Sequence, residues 1–145
     1  MIVYSDTSAL VKLVGIEPGS DEMVELAGRA RPMASVAIAY VELRAAAAAS
    51  IRGGRLHDSD AQEMHSRVEG LWSQVNPIVV DDRLIKQAGQ VADDHGLRGY
   101  DAVHLAALRR LGPSEEIVFA CWDRELRDAA AILGYTVFPE RIARS

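Results

Sequence analysis

The chain has 145 residues, 49 % hydrophobic and 26 % charged, which is the composition of one globular domain over 1–145 and not of a disordered segment. A formal charge of −5 argues against a generic nucleic-acid binder, and a single cysteine excludes an internal disulfide and a cysteine-based zinc site. No apolar run approaches the roughly 18 to 20 residues of a membrane span, and no basic leader with a cleavage site opens the chain, so a cytoplasmic protein without membrane contact is expected.

Ile2 to Ser5 reads as the first strand, where the fold is expected to begin, and a helix carrying Ala9, Leu10, Lys12 and Leu13 follows. Glu17-Pro18-Gly19-Ser20 is a turn and helix start, and the next helix runs from about Asp21 to Arg29. Pro32 to Ser35 is a second strand. Val36 to Arg52 is an Ala-rich helix that Gly53-Gly54 is placed to cap, and His57 to Val75 is another helix. Ile78-Val79-Val80 reads as a buried strand, with Asp81-Asp82 starting a helix to about His95. Gly96 and Gly99 bracket a turn before the helix Tyr100 to Leu111, which Gly112-Pro113 stops. Ile117 to Ala120 is the fourth strand, Arg124 to Leu133 a helix, and Tyr135 to Phe138 the fifth strand. Alternating strands and helices predict an α/β domain with a mainly parallel sheet covered on both faces.

In such sheets ligands bind beyond the carboxyl ends of the strands. Asp6 and Asp123 both stand there, after Ile2–Ser5 and after Ile117–Ala120. Each has an ordinary alternative role as a helix N-cap, as has Asp81-Asp82. Thr7 and Ser8 could cap equally well, so capping alone does not require Asp6. Glu42 is harder to explain structurally. On a helix its neighbours at −4, +3, +4 and +7 are Ile38, Ala45, Ala46 and Ala49, and an unpaired carboxylate in that stripe costs several kcal/mol. Asp101 is similar, with His104 at +3 and Leu105 and Leu108 at +4 and +7. The structural alternative for both is a salt bridge to Arg44 or Arg98.

Two unit charges about 4 Å apart repel by roughly 4 kcal/mol at an effective dielectric of ~20. If the fold gathers Asp6, Glu42, Asp101 and Asp123, the cluster calls for a divalent cation, and all-oxygen ligands select Mg²⁺ or Mn²⁺ over zinc. Such a site points to phosphodiester chemistry. The histidines His57, His65, His95 and His104 offer a metal-free acid–base ribonuclease instead, but they form no paired motif. His104 is expected to pack beside Asp101 as a hydrogen-bonded neighbour, and Cys121 to be an inert strand residue.

The phrases around the acids carry a resemblance. Asp6-Thr7-Ser8-Ala9-Leu10-Val11-Lys12-Leu13 resembles the start of a PIN domain, especially that of the VapC toxins of bacterial toxin–antitoxin pairs. Val41-Glu42-Leu43-Arg44, Arg98-Gly99-Tyr100-Asp101-Ala102-Val103-His104-Leu105-Ala106 and Phe119-Ala120-Cys121-Trp122-Asp123-Arg124-Glu125-Leu126 resemble the family's second, third and fourth acidic motifs. The resemblance spans nearly the whole chain. It implies a three-layer fold, a central five-stranded parallel sheet flanked by about seven helices. It also implies a Mg²⁺ or Mn²⁺ site, with Asp6, Asp101 and Asp123 as ligands and Glu42 a ligand directly or through water. Thr7 is then expected to orient Asp6 or a site water, and Lys12, Arg44 and Arg98 to contact the RNA backbone. Single-strand-cleaving endoribonuclease activity, a homodimer and inhibition by a cognate antitoxin follow from the same resemblance. One departure is Cys121, where many relatives carry Ser or Thr; a thiol is a poorer hydrogen-bond partner, which weakens the expected support of Asp123.

Two other functions compete. In a receiver or haloacid dehalogenase domain, Asp81-Asp82 after Ile78-Val79-Val80 would be a metal-binding pair, but Ser8 stands where a dehalogenase needs a second Asp, and no Lys follows the last strands. A non-catalytic PIN-like binding module would use Ala45 to Ala49 for close helix packing and leave RNA intact.

Overall fold

The computed structural model of the chain describes residues 1–15, 17–29, 32–53 and 58–142. Five strands, β1 (Ile2–Ser5), β2 (Met33–Val36), β3 (Val75–Ile78), β4 (Ile117–Ala120) and β5 (Thr136–Phe138), form one parallel sheet in the order β3-β2-β1-β4-β5. Seven α-helices are present among the described residues: α1 (Thr7–Val14), α2 (Ser20–Arg29), α3 (Ala39–Arg52), α4 (Asp58–Trp72), α5 (Asp82–His95), α6 (Gly99–Leu111) and α7 (Arg124–Ile132). The expected α/β architecture is therefore present. None of these helices is long and apolar enough to cross a membrane.

Chain direction across the sheet reverses once. From β1 the chain moves outward to β2 and β3, then returns to β4 and β5 on the other side of β1. The helices sort accordingly: α1 to α4 pack on one another, and α5 to α7 form a second group, with α6 against β2 and α7 against β5. Such a sheet has its ligand crevice where the winding reverses, here between the carboxyl ends of β1 and β4. The central strands are buried on both faces, and Tyr4, Leu10, Leu43, Leu105, Phe119 and Leu126 are wholly excluded from solvent. Burial of each such side chain contributes roughly 1.5–3 kcal/mol.

Three boundaries differ from the sequence-based expectations by more than one residue. Val36 belongs to β2 rather than to the Ala-rich helix, which begins at Ala39 after a turn at Ala37 and Ile38. The helix expected to reach Val75 ends at Trp72, because Val75 is the first residue of β3. That strand is Val75-Asn76-Pro77-Ile78, not the more apolar Ile78-Val79-Val80, and Val79 is 67 % exposed. Its position at the sheet edge explains the choice. The Ala37 N–H bonds the Ile78 carbonyl, so by alternation Pro77 turns its missing N–H outward, where no partner strand needs it. Gly54 and His57 lie outside the described residues.

Asp81 caps α5, accepting the Leu84 N–H at 2.8 Å, and forms a two-pronged ion pair with Arg110. Its ordinary role accounts for it. At the other end of α5, Gly96 closes the helix in the left-handed region at φ 63°, where an added Cβ would meet nothing within 4 Å. Gly96→Ala is therefore expected to cost only the conformational term, about 1 kcal/mol, and Gly96→Asn less. Urea denaturation of both variants would check this ranking.

Candidate active site

Each of the four acids is delivered by a different element. Asp6 follows β1 and is pinned to β4 by its own N–H on the Ala120 carbonyl at 3.1 Å. Asp123 follows β4, Glu42 lies in the first turn of α3 beyond β2, and Asp101 lies in the first turn of α6. Three of these elements reach the carboxyl edge of the sheet, and α6 packs against β2.

Asp6 is almost fully buried. Its Oδ1 accepts the Ser8 hydroxyl at 2.6 Å and the Ala9 N–H at 3.0 Å, and its Oδ2 accepts the Cys121 thiol at 3.1 Å. Ser8 in turn accepts the Trp122 N–H at 2.8 Å, which ties the loops after β1 and β4 together. Asp6 and Asp123 are thus the N-caps of α1 and α7 as well as candidate site residues. Ser8, not Thr7, orients Asp6. Cys121 is likewise not an inert strand residue: it lies just past β4, bonds Asp6, and accepts the Asp123 N–H at 3.3 Å. Burial, with the Asp6 charge beside it, pushes this thiol far above the usual cysteine range, so it stays protonated and serves as a donor.

Glu42 takes a partner that the sequence did not suggest. Its Oε1 accepts the Thr7 hydroxyl at 2.8 Å and stands 3.1 Å from His104 Nε2. Burial alone would raise Glu42, but the hydrogen bonds from His104 and Thr7 and the charge on His104 outweigh it and hold the carboxyl below its ordinary value. On the far side of the buried imidazole, Nδ1 is 2.9 Å from the Tyr4 hydroxyl, which also accepts the Val36 N–H at 3.2 Å. The imidazole thus joins Tyr4 to Glu42, one ring nitrogen facing each. His104 therefore belongs to Glu42 rather than to Asp101.

Asp101 and Asp123 line an open cleft of about 630 Å³ with Arg98, Gly99, Tyr100 and Val103. Burial, and after it the negative charge of Asp123, push the Asp101 carboxyl up against the weaker pull of Arg98 and His104; Asp6 adds to the rise. Burial likewise pushes Asp6 up, opposed by the His104 charge and the three hydrogen bonds it accepts. Asp101 therefore feels the charges of both Asp123 and Asp6, while Glu42 is governed by Thr7 and His104.

Of the three expected backbone contacts, Arg98 alone lines this cleft, its Nε 3.9 Å from Asp101. Lys12 is buried, paired with Glu17 at 2.8 Å and 4.8 Å from the centre of the Trp122 ring. Arg44 bonds Glu69 at 2.9 Å and the Tyr40 hydroxyl at 2.8 Å on the α3–α4 face. Both charges are spent on protein partners. A supporting residue absent from the sequence-based set is Arg127, buried one turn into α7, which donates to the Cys121 carbonyl at 2.9 Å and the Glu140 carbonyl at 3.3 Å. The only signal for it was its position four residues after Asp123.

The donor set suits a hard cation. All four side chains are carboxylates, and Asp101 is pushed up partly by the negative charges of Asp123 and Asp6, which a divalent ion would neutralise. Among the described residues no three acid, histidine or cysteine side chains are drawn together closely enough to hold an ion as they stand. Asp101 is partly exposed, and its ion-pair partner is the Arg98 guanidinium at 3.9 Å.

Comparisons with known proteins place the fold. The model of the PIN domain family matches residues 3–130. Ribonuclease VapC45 of Mycobacterium tuberculosis is 36 % identical over 141 residues, 97 % of each chain. Among solved structures, PAE2754 from Pyrobaculum aerophilum superposes with a TM-score of 0.69 at 20 % identity, covering 94 % of this chain and 83 % of that one. VapBC2 from Rickettsia felis, bound to a DNA fragment from its promoter, gives 0.61 at 15 % identity over 94 % and 97 % of the two chains. With the acids of four motifs set around the switch point of a five-stranded parallel sheet, and with these matches over nearly its whole length, the chain belongs to the PIN domain family, in its VapC branch.

Proposed function

We propose that this protein is a ribonuclease toxin that hydrolyses RNA phosphodiesters at the cleft lined by Asp101 and Asp123, with Asp6 and Glu42 behind it, using Mg²⁺ or Mn²⁺. It works as a cytoplasmic homodimer and is held inactive by a cognate antitoxin. The observation that carries this is the delivery of four carboxylates from four elements to one end of the sheet, with Asp6 and Asp101 both pushed up. The name of the relative Ribonuclease VapC45 supports the activity, and its extent of similarity leaves no part of the fold unaccounted for.

When bound, the ion supplies a water of lowered pKa and stabilises the leaving oxygen. The chain's own residues prepare the site for it. Ser8, Ala9 and Cys121 hold Asp6 in one orientation, while Thr7 and His104 keep Glu42 ionised and fixed. Asp101 and Asp123 present the accessible oxygens, and Arg98 attracts phosphate to the cleft mouth.

Incubation of antitoxin-free protein with a mixed RNA pool tests this. Cleavage is expected with Mn²⁺ or Mg²⁺, to stop with chelator, and to be lost in Asp101→Asn, leaving 5′-phosphate and 3′-hydroxyl ends. Cleavage that persists in chelator, or products ending in 2′,3′-cyclic phosphate, would overturn the metal-assisted hydrolysis and return the histidines to consideration. A folded protein that binds its partner and leaves every RNA intact would be the binding module instead.

A further inference from the structure

If the cleft takes RNA, as proposed above, one side chain at its lip has no structural task. We propose that Tyr100 is the stacking platform for one base adjoining the scissile phosphate.

The chain's four tyrosines differ in a telling way. Tyr4 bridges Val36 and His104, Tyr135 donates to the Gly112 carbonyl at 3.0 Å, and Tyr40 lies 5.5 Å from the Trp72 ring with its hydroxyl on Glu69. Tyr100 is 57 % exposed, and among the described residues it has no aromatic neighbour and no hydroxyl partner. It occupies the first turn of α6 directly before Asp101 and lines the same cleft.

Electrostatics make a neutral contact valuable there. Asp101 and Asp123 repel a polyanion, and Arg98, 79 % exposed on its side chain, is the one cation lining the cleft among the described residues. A base has no net charge to be repelled, and its face stacks on an aromatic ring whatever its identity. The backbone leaves room for it: a Cβ at Gly99 would meet nothing within 4 Å. A base inside a duplex already has both faces covered by its neighbours, so a flat platform accepts only one that is splayed out.

The test uses the full chain and short single-stranded RNAs carrying the fluorescent base 2-aminopurine at successive positions. Binding is read in the Asp123→Asn background without metal, and cleavage in the otherwise native protein. Quenching is expected at one position, to vanish in Tyr100→Ala and to return in Tyr100→Trp. In cleavage, Tyr100→Ala is expected to raise KM by about 5- to 150-fold with a smaller change in kcat. The same sequence in a duplex is expected to resist. Unchanged KM and unchanged quenching in Tyr100→Ala would overturn the proposal. So would intact RNA affinity with lost self-association by sedimentation, which would make Tyr100 a protein-contact residue. Tyr100-dependent quenching by a protein that cleaves no RNA under any metal would support the platform and overturn the nuclease activity, so the two can fail separately.

Discussion

Asp6→Asn is expected to lower RNA cleavage on the order of 10²- to 10³-fold while leaving the metal-free protein as stable as before, or more so. The two halves of this result share one cause. Burial outweighs the Ser8, Ala9 and Cys121 donors and leaves the Asp6 carboxyl raised above the ordinary Asp value near 3.8. A raised acid binds protons more tightly folded than unfolded. Its stabilising contribution is whole below the ordinary value, declines as pH rises through it to the raised folded value, and is absent above. At neutral pH the ionised Asp6 is therefore a burden on the fold, and an Asn that retains an Oδ1 acceptor removes it. The melting-temperature advantage of Asp6→Asn should grow as pH rises through the ordinary Asp value toward the raised one and disappear in stronger acid. A variant that melts several degrees lower at pH 7 without metal would contradict the electrostatics assigned to the cleft. Glu42 runs the other way: held below its ordinary value, it contributes stability that is lost as pH falls.

Tyr4→Phe is expected to be the costliest single-atom change at this end of the sheet. The substitution keeps the ring and its edge contacts to Phe119 and His104, at 5.6 and 5.9 Å between centroids, and removes the hydroxyl alone. The Val36 N–H and His104 Nδ1 are then both left without a partner in the interior. Each stranded group costs about 1–3 kcal/mol. For a chain of this size the sum lowers Tm on the order of 10 °C. Activity should fall too, on the order of 10-fold or more, because His104 loses the contact that holds its ring against Glu42. Tyr135→Phe is the control, since its hydroxyl serves a single carbonyl at the molecule's edge. Equal losses from the two variants, in calorimetry and in cleavage rate, would remove the special role of the Tyr4–His104–Glu42 chain.

What could be read in the sequence follows from range. Asp6 and Asp123 were legible because each ends an apolar strand, and a strand-end acid in a parallel sheet has few places to point. Glu42 and Asp101 were legible as charges embedded in apolar helical phrases. Their partners were not. Thr7 to Glu42, Tyr4 to His104 and Cys121 to Asp6 join residues 35, 100 and 115 positions apart, and no local pattern ranks such pairs over Arg44 or Arg98 beside the acid. The slip at β3 is of another kind. Val79 and Val80 are better strand formers than Asn76 and Pro77, but register at an edge is set by the neighbour, here Val36 opposite Ile78. The two lysine and arginine misplacements share that origin: Glu17 and Glu69 claim Lys12 and Arg44 through folding, not through sequence order.

The placement of β1 at the middle of the sheet has a consequence for the order in which the site is put together. Translation delivers β1, β2 and β3 early, whereas β4, Cys121 and Asp123 come late, and β4 must still insert beside β1. Until then one flank of β1 is open, Asp6 lacks the thiol and the Ser8–Trp122 tie that hold it, and the fourth acid is still inside the ribosome. A partly made chain therefore lacks the assembled site, which is complete only once β4 and the residues after it have joined β1.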